Sequence, residues 1–155
     1  MKKLTVLLLI VFVAGCKTKN DEPEPKYALE YVGEYWTNTV NGNNSTVQTW
    51  VVTSENNKLY IEYTIDYTFR NQGKVITSKE VYTLTDIPVD NPKTFKIDQV
   101  AELVEDGVKK SRRIQAEATK DVKPDGTEYI GTTINFPDPN TGASTSTDYL
   151  EFKRR

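Results

Sequence analysis

The chain holds few of the side chains on which enzyme chemistry usually depends. It has nine tyrosines, two tryptophans, 22 acidic and 20 basic residues, one cysteine and no histidine. The absence of imidazole excludes Ser-His-Asp and Cys-His catalysis and zinc sites built on histidine. We therefore expect no enzyme, no metal and no cofactor. A hydrolase that uses carboxylates alone is the remaining catalytic alternative.

The two carboxylates on the predicted strand 59–70 lie too far apart to form the active site of such a hydrolase. Glu62 and Asp66 fall on the same face of a predicted strand, four residues apart, and are therefore separated by about 13 Å. Glycosidases place their two carboxyl groups closer together than this. A solvated strand face explains both acids more simply.

Aromatic side chains are the better candidates for binding. Rings near carboxylates suit stacking on a sugar or holding an apolar ligand, and the candidates here are Trp36, Trp50, Tyr63, Tyr67 and Tyr82. The alternative interpretation is that these rings are core or cross-strand pairs, because aromatic residues are favoured in strands. A basic cluster at Lys109, Lys110, Arg112 and Arg113 is compatible either with anion binding or with a solvated strand.

The only cysteine, Cys16, follows a short apolar run from Leu4 to Ala14. The run is too short to span a bilayer, and the basic residues before it are typical of a signal peptide. The sequence Val13-Ala14-Gly15-Cys16 resembles the lipobox of bacterial lipoproteins. The resemblance implies a signal peptide over 1–15, a lipid on the Cys16 thiol and cleavage before Cys16. Two or more acyl chains would attach the chain stably to a membrane.

The residues after Cys16 predict a destination. Lys17 is not the aspartate that retains lipoproteins at the inner membrane, so the resemblance implies an outer-membrane anchor, on the periplasmic or the cell-surface side. The segment 16–26 is predicted to be a disordered, solvated tether. Within it, 19–22 looks like the export tags of Bacteroidetes surface lipoproteins, and the alternative is that these residues are only part of the charged tether. Removing Lys2 and Lys3 leaves 18 basic against 22 acidic side chains, a net charge of −4, which disfavours nucleic acid as a partner.

The remainder, 27–155, is predicted to be a single all-β domain. In 59–70, all six odd positions are apolar or aromatic and all six even positions are polar or Tyr60, which is the period of a half-buried strand. Turn sequences such as Asn41-Gly42 and Asp106-Gly107 separate the segments. Eight strands are predicted, at 31–40, 47–53, 59–70, 75–85, 94–104, 108–120, 127–136 and 145–153.

Eight antiparallel strands joined by short loops predict an up-and-down β-barrel, with a two-layer β-sandwich as the alternative. Closure of a barrel removes exposed strand edges, which favours it. The predicted core consists of Trp36, Trp50, Val52, Leu59, Ile61, Tyr63, Ile65, Tyr67, Phe69, Ile76, Tyr82, Leu84, Phe95, Ile97, Leu103, Ile114, Ile130, Ile134, Phe136, Leu150 and Phe152.

The chain resembles the small calycin-like (lipocalin-like) lipoproteins of Bacteroidetes, on its opening segment 31–36 and its closing segment 149–153. The resemblance implies a β-barrel with an apolar interior. Lipocalins proper carry Gly-x-Trp on the first strand, whereas two residues separate Gly33 from Trp36 here, so only the shape is transferred. We expect a lipid-anchored binding module for a small apolar ligand or a glycan. The alternative is a module that binds or inhibits a protein in an outer-membrane complex.

Overall fold

The structure is a computed structural model that describes residues 26–155. Cys16, the predicted signal peptide and most of the predicted tether lie outside the described residues. Within the described part, a short 3₁₀ helix precedes nine antiparallel strands. Their bounds are Tyr27–Tyr31 for the 3₁₀ helix, then Gly33–Asn41 (β1), Asn44–Glu55 (β2), Lys58–Asn71 (β3), Lys74–Pro88 (β4), Thr94–Glu105 (β5), Val108–Val122 (β6), Glu128–Pro137 (β7), Ser144–Ser146 (β8) and Leu150–Arg154 (β9).

The strands close into an antiparallel β-barrel. Strands β1 to β7 are neighbours in chain order, and β9 pairs with both β7 and β1. Strands β8 and β9 share the eighth position, since β7 pairs with β9 over 129–132 and with β8 over 135–137. The predicted eight-stranded antiparallel barrel is confirmed, and the sandwich alternative is not observed. The last predicted strand is interrupted at 147–149.

Local sequence explains most of these strands. The alternation of β3 places Leu59, Ile61 and Tyr63 inside the barrel, where all three are buried. Two-residue turns connect several hairpins, and in the β5–β6 turn both Asp106 and Gly107 have positive φ. A type I′ turn requires this geometry, and its twist matches that of the strands it joins.

Aromatic rings fill the barrel interior. Trp50 stacks on Phe152 with 4.4 Å between ring centroids, and Tyr31 meets Phe95 edge to face at 5.1 Å. Tyr31 and Tyr35 are fully buried and were missed as core residues. Tyr31 also lies in the 3₁₀ helix, so the first strand begins at Gly33 and not at the predicted residue 31.

Four predicted core residues are exposed, which corrects the prediction. Trp36 is 37% exposed because Tyr35, its neighbour on β1, takes the inward position. Tyr67, Phe69 and Ile76 are 38%, 43% and 59% exposed. They follow the inward alternation, but Tyr67 lies at the open mouth of the barrel, and Phe69 and Ile76 lie on the part of the β3–β4 hairpin that extends past the rim, where no opposite wall covers them.

The two ends of the barrel differ. The 3₁₀ helix covers one end, where the Ala28 amide donates to Asn57 Oδ1 at 3.1 Å and Asn57 Nδ2 donates to the Val89 carbonyl at 3.2 Å. We call this the closed end and the opposite end the mouth. The β1–β2, β3–β4 and β5–β6 turns and the loop 137–144 surround the mouth. Among the described residues there is no helix with the length and apolarity needed to cross a membrane.

Candidate ligand site at the barrel mouth

The lower part of the interior has no space for a ligand. Trp50, Tyr63 and Tyr82 have no solvent exposure, and Tyr63 and Tyr82 stack with 5.5 Å between ring centroids. Protein cores of this kind pack as densely as organic crystals. Within the barrel interior, a small molecule therefore has access only to the layer above these rings, at the mouth.

A polar layer lies on top of the stacked tyrosines. The Tyr63 hydroxyl donates to the buried side-chain oxygen of Gln48. The Tyr82 hydroxyl donates to Glu80 Oε2 at 2.6 Å and accepts from Arg112 Nη1 at 3.2 Å. Burial raises the pKa of the Tyr63 and Tyr82 hydroxyls, and the bond to Glu80 raises that of Tyr82 further. Both tyrosines are therefore neutral hydrogen-bond donors at ordinary pH.

Phe136 forms the wall at the centre of the mouth. Its ring lies 5.9 Å from the Tyr82 ring, and the Arg112 guanidinium carbon lies 4.5 Å from the centroid of the Phe136 ring. A guanidinium at this distance from an aromatic face is held by a cation–π attraction. The contact fixes both side chains at the point where β6 faces the end of β7.

Two clefts open on either side of Phe136 because strand pairing stops below the rim. The β6–β7 ladder ends at the pair Gln115–Asn135, and the β1–β9 ladder ends at Trp36–Lys153. Above these pairs the β7–β8 hairpin separates from its neighbours on both sides. We call the resulting openings the β6 cleft and the β1 cleft.

Each cleft has a volume of about 440 Å³. This falls within the range of small-molecule sites, roughly 300–1,000 Å³. The β1 cleft is lined partly by Ile65, Tyr67, Phe136 and Leu150, with Gln48 at its polar side. The apolar lining of the β6 cleft is formed by Val100, Phe136, Pro137, Pro139 and Ala143, and Arg112 and Arg113 also line it.

The structure brings together three of the five candidate binding residues. Tyr63 and Tyr82 stack at the top of the packed core and Tyr67 lies above them at the mouth, and of the three only Tyr67 lines a cleft and is accessible. Trp50 is inaccessible in the core. Trp36 lies on the outer surface of β1, where the Arg155 guanidinium approaches its ring to 5.8 Å. Neither tryptophan belongs to the mouth.

Sequence reasoning missed the roles of Gln48, Arg112 and Phe136. Phe136 was assigned to the core and Arg112 to a surface cluster. The available signal was the alternation of β6, because Ile114, Ala116 and Ala118 face inward and Arg112 has the same parity. Gln48 has the same parity as the inward-facing Trp50 and Val52, which predicts that it faces the interior. Nothing in the sequence indicates that it lies at the mouth.

Among residues 26–155, no three acidic side chains lie close enough together to hold a metal ion. Comparison of the chain with protein-family models, with curated proteins and with solved structures gave no match. The candidate site therefore rests on its own geometry.

Proposed function

We propose that this chain is a non-enzymatic binding module, anchored by a lipid to the outer membrane, that takes a small apolar ligand or a glycan at the barrel mouth. One observation carries the proposal: two clefts of ligand size meet at the half-buried ring of Phe136, directly above a closed and solvent-free core. Apolar and aromatic walls with a few polar groups are typical of small-molecule sites.

The binding test uses residues 16–155 with Cys16→Ser, which keeps every barrel residue and needs no detergent. N-phenyl-1-naphthylamine, a neutral aromatic probe, becomes fluorescent when it enters an apolar site. We expect saturable binding that Phe136→Ala weakens about tenfold, since losing a ring contact is worth roughly 1–2 kcal/mol. Phe69→Ala is the matched control, because Phe69 is also a half-exposed phenylalanine but lines neither cleft.

Two results would contradict the binding proposal. One is a wild-type chain that gives no saturable fluorescence and binds nothing on a glycan array. The other is a Phe136→Ala barrel that melts like the wild type and binds the probe equally well. If Phe136→Ala does not fold, Tyr67→Ser tests the β1 cleft from a side chain that is already 38% exposed.

The anchor is tested separately. Mass spectrometry of the chain from its native membrane should find Cys16 as the first residue, with its thiol carrying diacylglyceryl. Cys16→Ser should release the domain from the outer membrane. An unmodified thiol in the processed chain would overturn the anchor and leave the mouth unaffected.

A protein-binding module is the second candidate, and the β3–β4 hairpin favours it. Phe69 and Ile76 pair across the hairpin beyond the rim, and Tyr67, on the same face of β3 as Phe69, is 38% exposed. Exposed apolar clusters on monomers often mark interaction sites. Under this alternative, Phe69→Ser with Ile76→Ser would abolish stoichiometric co-purification of an outer-membrane protein, while Val51→Ser would not.

A further inference from the structure

Arg112 differs from the basic residues around it in that it has no carboxylate partner within the described residues. Arg113 donates to Asp98 at 2.7 Å, Lys109 to Glu102 at 3.2 Å, and Lys110 pairs with Glu105. Arg112 is in none of the ion pairs formed by residues 26–155. The predicted basic cluster is therefore neutralised at three of its four positions, and the remaining cation points into the barrel mouth.

The Arg112 guanidinium is held in place, but most of its N–H donors have no partner among the described residues. It stacks over Phe136, and of its five N–H groups one is engaged, by the Tyr82 hydroxyl. Glu80 forms no direct ion pair with Arg112, and the Tyr82 hydroxyl bridges the two groups by accepting from Arg112 and donating to Glu80. Half-buried cations normally have a carboxylate partner, since burial away from water is costly.

The walls of the β6 cleft around this cation are largely apolar, with Ser111, Arg113, Asp138 and Thr145 as the other polar lining. Val100, Phe136, Pro137, Pro139 and Ala143 present carbon to the cleft. Among the described residues that line it, Asp138 alone carries a carboxylate, and Asp138 Oδ1 accepts the Asn140 amide at 2.8 Å within its own loop. An apolar cleft with a preorganised, unpaired guanidinium fits a ligand that has one anionic group on an apolar body.

We infer that the β6 cleft binds a small amphipathic anion, whose charged group pairs with Arg112 while its ring or chain packs against Phe136 and the prolines of the 137–144 loop. This inference rests on the proposed function and narrows its ligand class from any apolar molecule to an anionic one. A carboxylate suits the planar guanidinium best, because the two groups can join each other through two parallel hydrogen bonds.

Two probes with the same skeleton test this inference on the Cys16→Ser chain. N-phenyl-1-naphthylamine is neutral, and 8-anilinonaphthalene-1-sulfonate adds only an anionic sulfonate. We expect the wild type to bind the anion about tenfold more tightly than the neutral probe, because charge-assisted hydrogen bonds are the strong ones. Arg112→Met should remove that preference, so that the affinities of this variant for the two probes lie within about twofold of each other. Lys109→Met is the matched control, because Lys109 belongs to the same basic cluster but lines neither cleft, and it should preserve the preference.

The outcomes separate the inference from the proposed function. If neither probe binds, the proposed function fails. If the neutral probe binds and the anion has no advantage, or if Arg112→Met weakens both probes equally, the inference fails and the proposed function stands. If Arg112→Met is unstable, Arg112→Lys keeps the test valid because it retains the charge. A partial anion preference in this variant supports the inference, and the absence of any anion preference overturns it. Displacement by 2-naphthoate and by naphthyl phosphate then separates carboxylate from phosphate ligands.

Discussion

The ring of Trp50 stacks on that of Phe152 across the barrel interior, with 4.4 Å between centroids and 26° between ring planes. Trp50 lies on β2 and Phe152 on β9, two strands that share no ladder and are separated by β1. The stack therefore links the two sides of the seam at which β1 and β9, the first and last strands, pair and close the barrel. Both side chains have no solvent exposure.

Phe152→Ala should be among the most destabilising single changes in the domain. It removes a buried ring and opens a cavity at the seam, for a loss of about 3–5 kcal/mol in the free energy of unfolding. Urea unfolding followed by tryptophan fluorescence measures this. Trp36→Ala, which removes an exposed ring beside the same seam, should cost about 1 kcal/mol or less. Equal losses in the two variants would contradict the assignment of inside and outside.

Two buried tyrosines should respond oppositely to the loss of their hydroxyl. The Tyr31 hydroxyl is buried without a hydrogen-bond partner within the described residues, whereas that of Tyr63 donates to Gln48. Tyr31→Phe should leave the free energy of unfolding unchanged or raise it by about 1 kcal/mol, since it removes an unpaired polar group. Tyr63→Phe should lower it by about 1–3 kcal/mol, because Gln48 loses its donor. Chemical denaturation of both variants checks this, and a destabilised Tyr31→Phe would show that its hydroxyl is bonded.

Stability should fall at alkaline pH. Burial raises the pKa of Tyr31 from 10.0 to about 12, so the folded chain retains a proton that the unfolded chain has lost in this range. The free energy of unfolding should be level below about pH 10 and decrease from there towards pH 12. Denaturation at stepped pH measures the slope, and Tyr31→Phe should make it shallower. Stability that increases above pH 10 would contradict the sign.

Arg154 secures the short seam between β1 and β9. Only two residue pairs join these strands, and Arg154 adds a bond from Nη1 to Glu128 at 2.6 Å and one from Nη2 to the Val32 carbonyl at 2.9 Å. Arg154→Ala should cost about 1 kcal/mol, because its side chain is partly exposed, and should speed hydrogen exchange in β1. Lys153→Ala, on the same strand, is the control. Unchanged exchange in β1 would show that the seam does not depend on Arg154.

Sequence predicted the barrel well where local rules apply. The alternation of β3 and the Asp106-Gly107 turn depend only on neighbouring residues, and both appear as expected. The same alternation failed at Phe69 and Ile76, since it shows which face a side chain is on and not whether an opposite wall exists. Tyr31 failed for a related reason, because aromatic residues favour strands but the chain here turns into a 3₁₀ helix.

The mouth was only partly predictable. Tyr63, Tyr67 and Tyr82 were identified because aromatic residues are conspicuous. The β6 cleft depends on where the β6–β7 ladder stops, at Gln115–Asn135, and no local pattern marks that point. Three basic residues of the cluster pair with acidic residues on β5, and Arg112 does not. This pairing depends on the register between β5 and β6, which the sequence does not predict.

The central claim is that a small molecule binds at the mouth, and amide chemical-shift mapping tests it residue by residue. Titration of the isotopically labelled Cys16→Ser chain with N-phenyl-1-naphthylamine should shift the amides of Gln48, Tyr67, Arg112, Phe136 and Leu150. Amides at the closed end, such as those of Asn57 and Val89, should stay in place. Shifts centred on the closed end, or no saturable shifts at any residue, would contradict the account.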